Sequence, residues 1–127
     1  MDETLLKAQE LYDKSQELEQ RIQLIEEHIM KFEDFLKGIH FIDKASENKE
    51  SFFAPLGNGV FVNAKMNDEF FVDVGAGVIV RKPLEEIKDT VANQIEKLKL
   101  AHNELNSTLA EMKEDFEEIV QGIEHNH

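Results

Sequence analysis

The chain has 127 residues, no cysteine, 41% hydrophobic and 32% charged residues, and a formal net charge of −13. Lack of cysteine excludes thiolate catalysis, disulfides and Cys-based zinc sites, and no run of about 18 apolar residues exists to span a membrane. The acidic surplus, with a pI near 4.7, disfavours nucleic acid and anionic lipid, because contact would work against repulsion.

This composition is polar for a large globular core but suits two helices that bury only a narrow seam. One structural unit over residues 1–127 is expected. The opening MDETLLKAQE is acidic and helical, with no basic region ahead of an apolar stretch. It does not read as a signal peptide, and a cytoplasmic location is expected.

The first arm covers residues 1–42. One seam is Ala8, Ser15, Ile22, Ile29 and Leu36; the other is Leu11, Leu18, Ile25, Phe32 and Ile39. They interleave at steps of three and four, the a/d pattern of a coiled coil. Gly38 falls on the outward face and loosens the end of the helix. Asp43 to Ser51 reads as a polar loop.

Four short strands occupy residues 52–82: Phe52–Leu56, Val60–Lys65, Phe70–Val74 and Val78–Lys82. Pro55 implies an edge position or a bulge. Gly57-Asn58-Gly59, Asn67-Asp68 and Gly75-Ala76-Gly77 tolerate positive φ, so two hairpins in series are predicted. Val60, Val62 and Ala64, and likewise Phe70, Val72 and Val74, are predicted to alternate inward. Phe61, Phe71 and Ile79 fall on the opposite face beside Asp73 and Arg81. A four-stranded sheet with apolar residues on both faces needs cover on both. Phe61, Phe71, Val72, Val74 and Ile79 are therefore candidate subunit contacts.

A second helix is predicted over residues 83–124, opened by Pro83, with Glu85 and Glu86 complementing its dipole. Its seams are Leu84, Val91, Leu98, Leu105, Met112 and Ile119, interleaved with Lys88, Ile95, His102, Leu109, Phe116 and Ile123. An antiparallel register sets Ile22 against Leu105, Ile29 against Leu98, Phe32 against Ile95, Leu36 against Val91 and Leu11 against Phe116. His102 then faces Ile25. A shift of one heptad either way would oppose strand residues to the first arm or leave that arm overhanging. At 1.5 Å per residue each arm is about 60 Å long. Both termini meet at one tip, and the strands lie at the other end. The fold class is α+β: a long antiparallel two-helix coiled coil with two β-hairpins between the helices.

Met1, Leu5, Leu6, Leu11, Phe116, Ile119, Val120 and Ile123 gather at that tip. Leu11, Phe116, Ile119 and Ile123 belong to the seam; Leu5, Leu6 and Val120 lie off it and would face solvent. Six acids (Glu111, Glu114, Asp115, Glu117, Glu118, Glu124) stand near them against Lys113. His102 lacks the companions that a metal ligand needs, and His125 and His127 read as tail. No phosphate cradle, nucleophile–base constellation or metalloprotease motif is present. No enzyme, metal or cofactor is expected, and the absence of an evident basic stripe speaks against a nucleic-acid coiled coil.

The middle segment resembles prefoldin subunits of the alpha class. The resemblance rests on Pro55-Leu56-Gly57, Phe61-Val62-Asn63-Ala64, Val72-Asp73-Val74-Gly75 followed by Gly77, and an apolar strand ending in Arg81-Lys82 before the second helix. Two hairpins match the alpha class, where the beta class has one. The resemblance implies an ATP-independent chaperone, a hexamer of two alpha and four beta subunits whose hairpins form a β-barrel. Its coiled-coil tips hold unfolded clients and pass them to a group II chaperonin. The alternative is a prefoldin-like scaffold that forms homo-oligomers or filaments, or is part of a transcription-linked complex.

Overall fold

The computed structural model describes residues 3–66 and 69–125; Met1, Asn67, Asp68 and His127, named above, lie outside that range. The order of elements is α1 (Glu3–Glu47), β1 (Ser51–Gly57), β2 (Val60–Lys65), β3 (Phe71–Gly75), β4 (Val78–Arg81) and α2 (Leu84–His125). This is the α+β coiled-coil arrangement expected, with two antiparallel strand pairs between two long helices. The chain divides into two compact units, Met1–Met30 with Ile95–His127, and Lys31–Gln94.

In the first unit the segments of α1 and α2 pair antiparallel. Ala8, Leu18, Ile22 and Ile95 are buried, and Leu11, Ser15, Ile25, Ile29, Leu98, His102, Leu105, Leu109 and Met112 are half-buried. These are the heptad positions, so the 3.5-residue repeat selects the buried stripe. Three contacts tie the two helices together. The Tyr12 and Phe116 rings lie 6.3 Å apart, tilted at 44°; Lys113 Nζ stands 3.1 Å from Glu19 Oε1; and His102 Nε2 is 2.8 Å from Glu26 Oε1. The first and the last involve the neighbour of the residue that the predicted register places opposite: Phe116 faces Leu11 and touches Tyr12, and His102 faces Ile25 and reaches Glu26. A one-heptad shift would separate these two.

His102 is a polar group on an apolar seam. The Asn106 amide nitrogen, which only donates, lies 3.2 Å from its Nδ1. Nδ1 therefore accepts, and Nε2–H donates to the Glu26 carboxylate. The ring is satisfied on both sides and ties one helix to the other.

In the second unit Ile39 and Ala45 are buried. Lys88, at a seam position of α2, meets Asp43 of α1 at 3.5 Å. Asp43 was expected in a loop, but α1 continues to Glu47. The extra turn buries Ala45 and closes with a Schellman cap. Lys49 adopts φ 55°; its N–H donates to the Ser46 carbonyl at 3.1 Å, and that of Glu50 to the Ala45 carbonyl at 2.9 Å. The left-handed cap position is usually glycine. Here it is lysine, which concealed the stop signal.

The strands form the two hairpins predicted, as separate two-stranded sheets β1–β2 and β3–β4; the four-stranded sheet by which their faces were assigned does not form within the chain. Each hairpin carries a register shift, between Pro55 and Gly57 and between Asp73 and Gly75. The first lies beside the proline that signalled it. The turns place Asn58 at φ 54° with Gly59 at 77°, and Ala76 at φ 53° with Gly77 at 76°. Asn suits this left-handed pair; Ala does not. The Asp73 carboxylate steadies the second turn by accepting from the Gly75 N–H at 2.9 Å. Ala76→Gly and Lys49→Gly should therefore each stabilise the fold by about 1 kcal/mol. The check is a rise in Tm of a few degrees for each single variant; an unchanged or lower Tm would contradict it.

Candidate functional site

Each unit leaves an apolar surface open. In the first, Leu5, Ala8, Gln9, Tyr12, Phe116, Val120 and Ile123 line a depression of about 370 Å³. Its origin is a size mismatch on the seam. Ala8 and Ser15 are too small to fill their layers, so the rings of Tyr12 and Phe116 share the space. The floor is apolar, and Leu5 at its edge is 47% exposed.

Of the tip residues singled out from the sequence, Leu5, Phe116, Val120 and Ile123 come together here. Leu6 is 58% exposed but lies one position further round the helix and is not part of the lining. Leu11 and Ile119 are half-buried on the seam. Val120 was expected to face solvent; it is half-buried, because its position flanks the seam and packs into the depression. Ala8, Gln9 and Tyr12 were missed. The available signal was an aromatic residue flanking two small seam residues.

Acidic side chains surround this end of α2. Glu111, Glu114, Asp115, Glu117 and Glu118 are exposed, while Lys113 is drawn across to Glu19. The local field is negative around an apolar floor, which favours segments that pair apolar with basic residues.

The second open surface belongs to the hairpins. In β1–β2, Phe52 pairs with Ala64 and Ala54 with Val62 on one face; Phe53 and Asn63, and Pro55 and Phe61, share the other. Phe52, Ala54 and Ala64 are half-buried, whereas Phe53 is 75% and Phe61 61% exposed. In β3–β4, Val72 is half-buried while Phe71 and Ile79 are exposed. The expected inward set is thus only partly covered within the chain: Val60, Val62 and Val74 are exposed. For Val74 the reason is the register shift, which leaves it as the extra residue and breaks the alternation of faces. Isolated two-stranded hairpins are marginal in water, and these carry aromatic residues on uncovered faces.

Among the described residues there is no group of acidic, histidine or cysteine side chains able to hold a metal, and no helix long and apolar enough to cross a membrane.

Comparison with known proteins agrees with this architecture. The family model described as Prefoldin subunit matches residues 11–126. A prefoldin subunit alpha from Archaeoglobus fulgidus is 26% identical over 95 residues, which is 73% of this chain and 69% of that protein. The cryo-EM structure of a filamentous prefoldin from Methanocaldococcus jannaschii superposes with a TM-score of 0.71 at 19% identity, covering 91% of this chain and 97% of that one. Two long helices, two hairpins between them and a family match across nearly the whole length lead to one conclusion: the chain belongs to the prefoldin subunit family and is alpha-like.

Proposed function

We propose that the chain is the alpha-class subunit of a hetero-hexameric prefoldin, a cytoplasmic holdase that keeps unfolded proteins from aggregating without ATP. Family membership supports a chaperone-like subunit. The observation that carries the finer reading is the apolar depression between the paired helix segments, lined by Leu5, Tyr12, Phe116, Val120 and Ile123. It is shallow and built largely from aliphatic side chains, which suits weak contact with many unfolded segments. In this reading the uncovered faces around Phe61, Phe71, Val72, Val74 and Ile79 close against beta-class subunits into a shared β-barrel, two alpha with four beta. The loaded complex then delivers its client to a group II chaperonin.

A second reading is a scaffold that polymerises with copies of itself. The filamentous prefoldin neighbour is compatible with it. Co-expression with beta-class subunits, followed by native mass spectrometry and light scattering of a denatured client, separates the two. The holdase reading expects a complex of two copies with four partners that suppresses scattering without nucleotide. A long homopolymer without suppression would replace it.

A further inference from the structure

Along α1, the residue just before each a position of the first four heptads is basic: Lys7, Lys14, Arg21 and His28. Seven-residue spacing keeps them on one edge of the helix. The chain has a net charge of −13, so this rail of basic residues stands out, with Glu3, Glu10 and Glu17 interleaved one turn back from Lys7, Lys14 and Arg21. It corrects the impression that no basic stripe exists; the stripe is dispersed at heptad spacing and vanishes in a reading by runs.

The two edges of the helix pair differ. On one, polar groups meet across the helices, Glu19 with the Lys113 ammonium and Glu26 with the His102 imidazole. On the rail edge, the same register sets Asp115 across from Lys14, but only Thr108 across from Arg21 and Ala101 across from His28. Arg21 has Glu17 of its own helix at 3.8 Å, with both side chains about two-thirds exposed, a surface pair that exchanges readily. Because Thr108 and Ala101 are short, the edge opens into a groove of about 410 Å³ lined by Arg21, Leu24, Ile25, His28, Leu98 and Leu105. Leu24 lies outside the seam and is 57% exposed.

We propose that this groove seats an acidic amphipathic helix of a partner protein. Its apolar stripe lies on Leu24, Ile25, Leu98 and Leu105, and its carboxylates meet Arg21 and His28, with Lys14 one heptad along. Charge complementarity selects the partner. The floor is aliphatic, as helix-in-groove recognition needs, and the rim offers donors suited to carboxylates. Nucleic acid fits less well, because the floor has no exposed aromatic platform for bases and the chain as a whole repels phosphate. The inference does not depend on the helix-end site, whose lining residues are different.

The test uses the full chain and fluorescence anisotropy with a labelled helical peptide, leucine at its a and d positions and glutamate at e and g. Its twin carries lysine at e and g. The acidic peptide should bind about tenfold tighter than the twin at low salt, as a few half-exposed charge pairs allow. The double variant K14E/R21E, altered only at exposed positions, should remove or invert that preference with unchanged circular dichroism. L24Q should weaken the acidic peptide while leaving the salt dependence in place. Equal affinity for the two peptides, no binding of either, or indifference to K14E/R21E would overturn the proposal. So would tighter binding of a single-stranded RNA oligonucleotide, or loss of peptide binding in L5S/L6S/V120S alone, which would move the seat to the helix ends.

Discussion

Replacing Phe71 by Asp yields a chain that keeps its helical circular dichroism and no longer assembles with partner subunits. Phe71 is 59% exposed, so the substitution takes little from the fold of the isolated chain. Its cross-strand partner Arg81 even offers the new carboxylate a counter-charge. In an assembled barrel the same position would be enclosed. There the variant loses an aromatic contact, worth about 2–4 kcal/mol when central to an interface, and gains a carboxylate that must be desolvated. The expected loss is at least about a hundredfold in assembly affinity, read as dissociated subunits by native mass spectrometry. An unchanged oligomer would show that this face of β3–β4 is not an interface.

The triple variant L5S/L6S/V120S leaves assembly intact and strips most of the suppression of client aggregation. Leu5 and Leu6 are exposed and Val120 is half-buried, while none belongs to the buried seam. The cost to the helix pair is thus small beside that of changing Phe116. What disappears is the aliphatic edge of the depression, the part that a client segment can reach. Each fully buried aliphatic contact is worth about 1.5–3 kcal/mol, so even partial burial at three positions predicts a loss of at least about tenfold in client affinity. Light scattering of a denatured client, with native mass as the control, decides it. Full suppression by an intact triple variant would remove the helix ends as the holding site.

Much of the architecture was legible because the heptad and the hairpin each impose their own period. The seam residues from Ala8 to Ile39, and from Leu84 to Ile123, are all buried or half-buried. The hairpin turns announced themselves through Gly57-Asn58-Gly59 and Gly75-Ala76-Gly77. The failures have local causes. The end of α1 was placed too early because its left-handed cap is Lys49 rather than glycine. The strand faces were drawn as strict alternation, and the bulges at Leu56 and Val74 break it. Tyr12 escaped notice because a flanking aromatic matters only once the smallness of Ala8 and Ser15 is considered. The basic rail escaped because a pattern of one residue in seven is invisible to any count of neighbouring charges.

The cross-helix ties also have a mechanical consequence. Tyr12, Glu19 and Glu26 stand one heptad apart, and each is held by a different partner: a ring, an ammonium and an imidazole. Sliding one helix along the other is therefore quantised. The nearest alternative that restores the same seam layers lies seven residues away, about 10.5 Å, and there each of the three meets a partner of another kind. Between those positions the knobs of one helix no longer enter the holes of the other. Force applied along the pair meets a ratchet with one deep notch, so within this unit the helices transmit a pull as a strut does, without creep, until all the ties give way together.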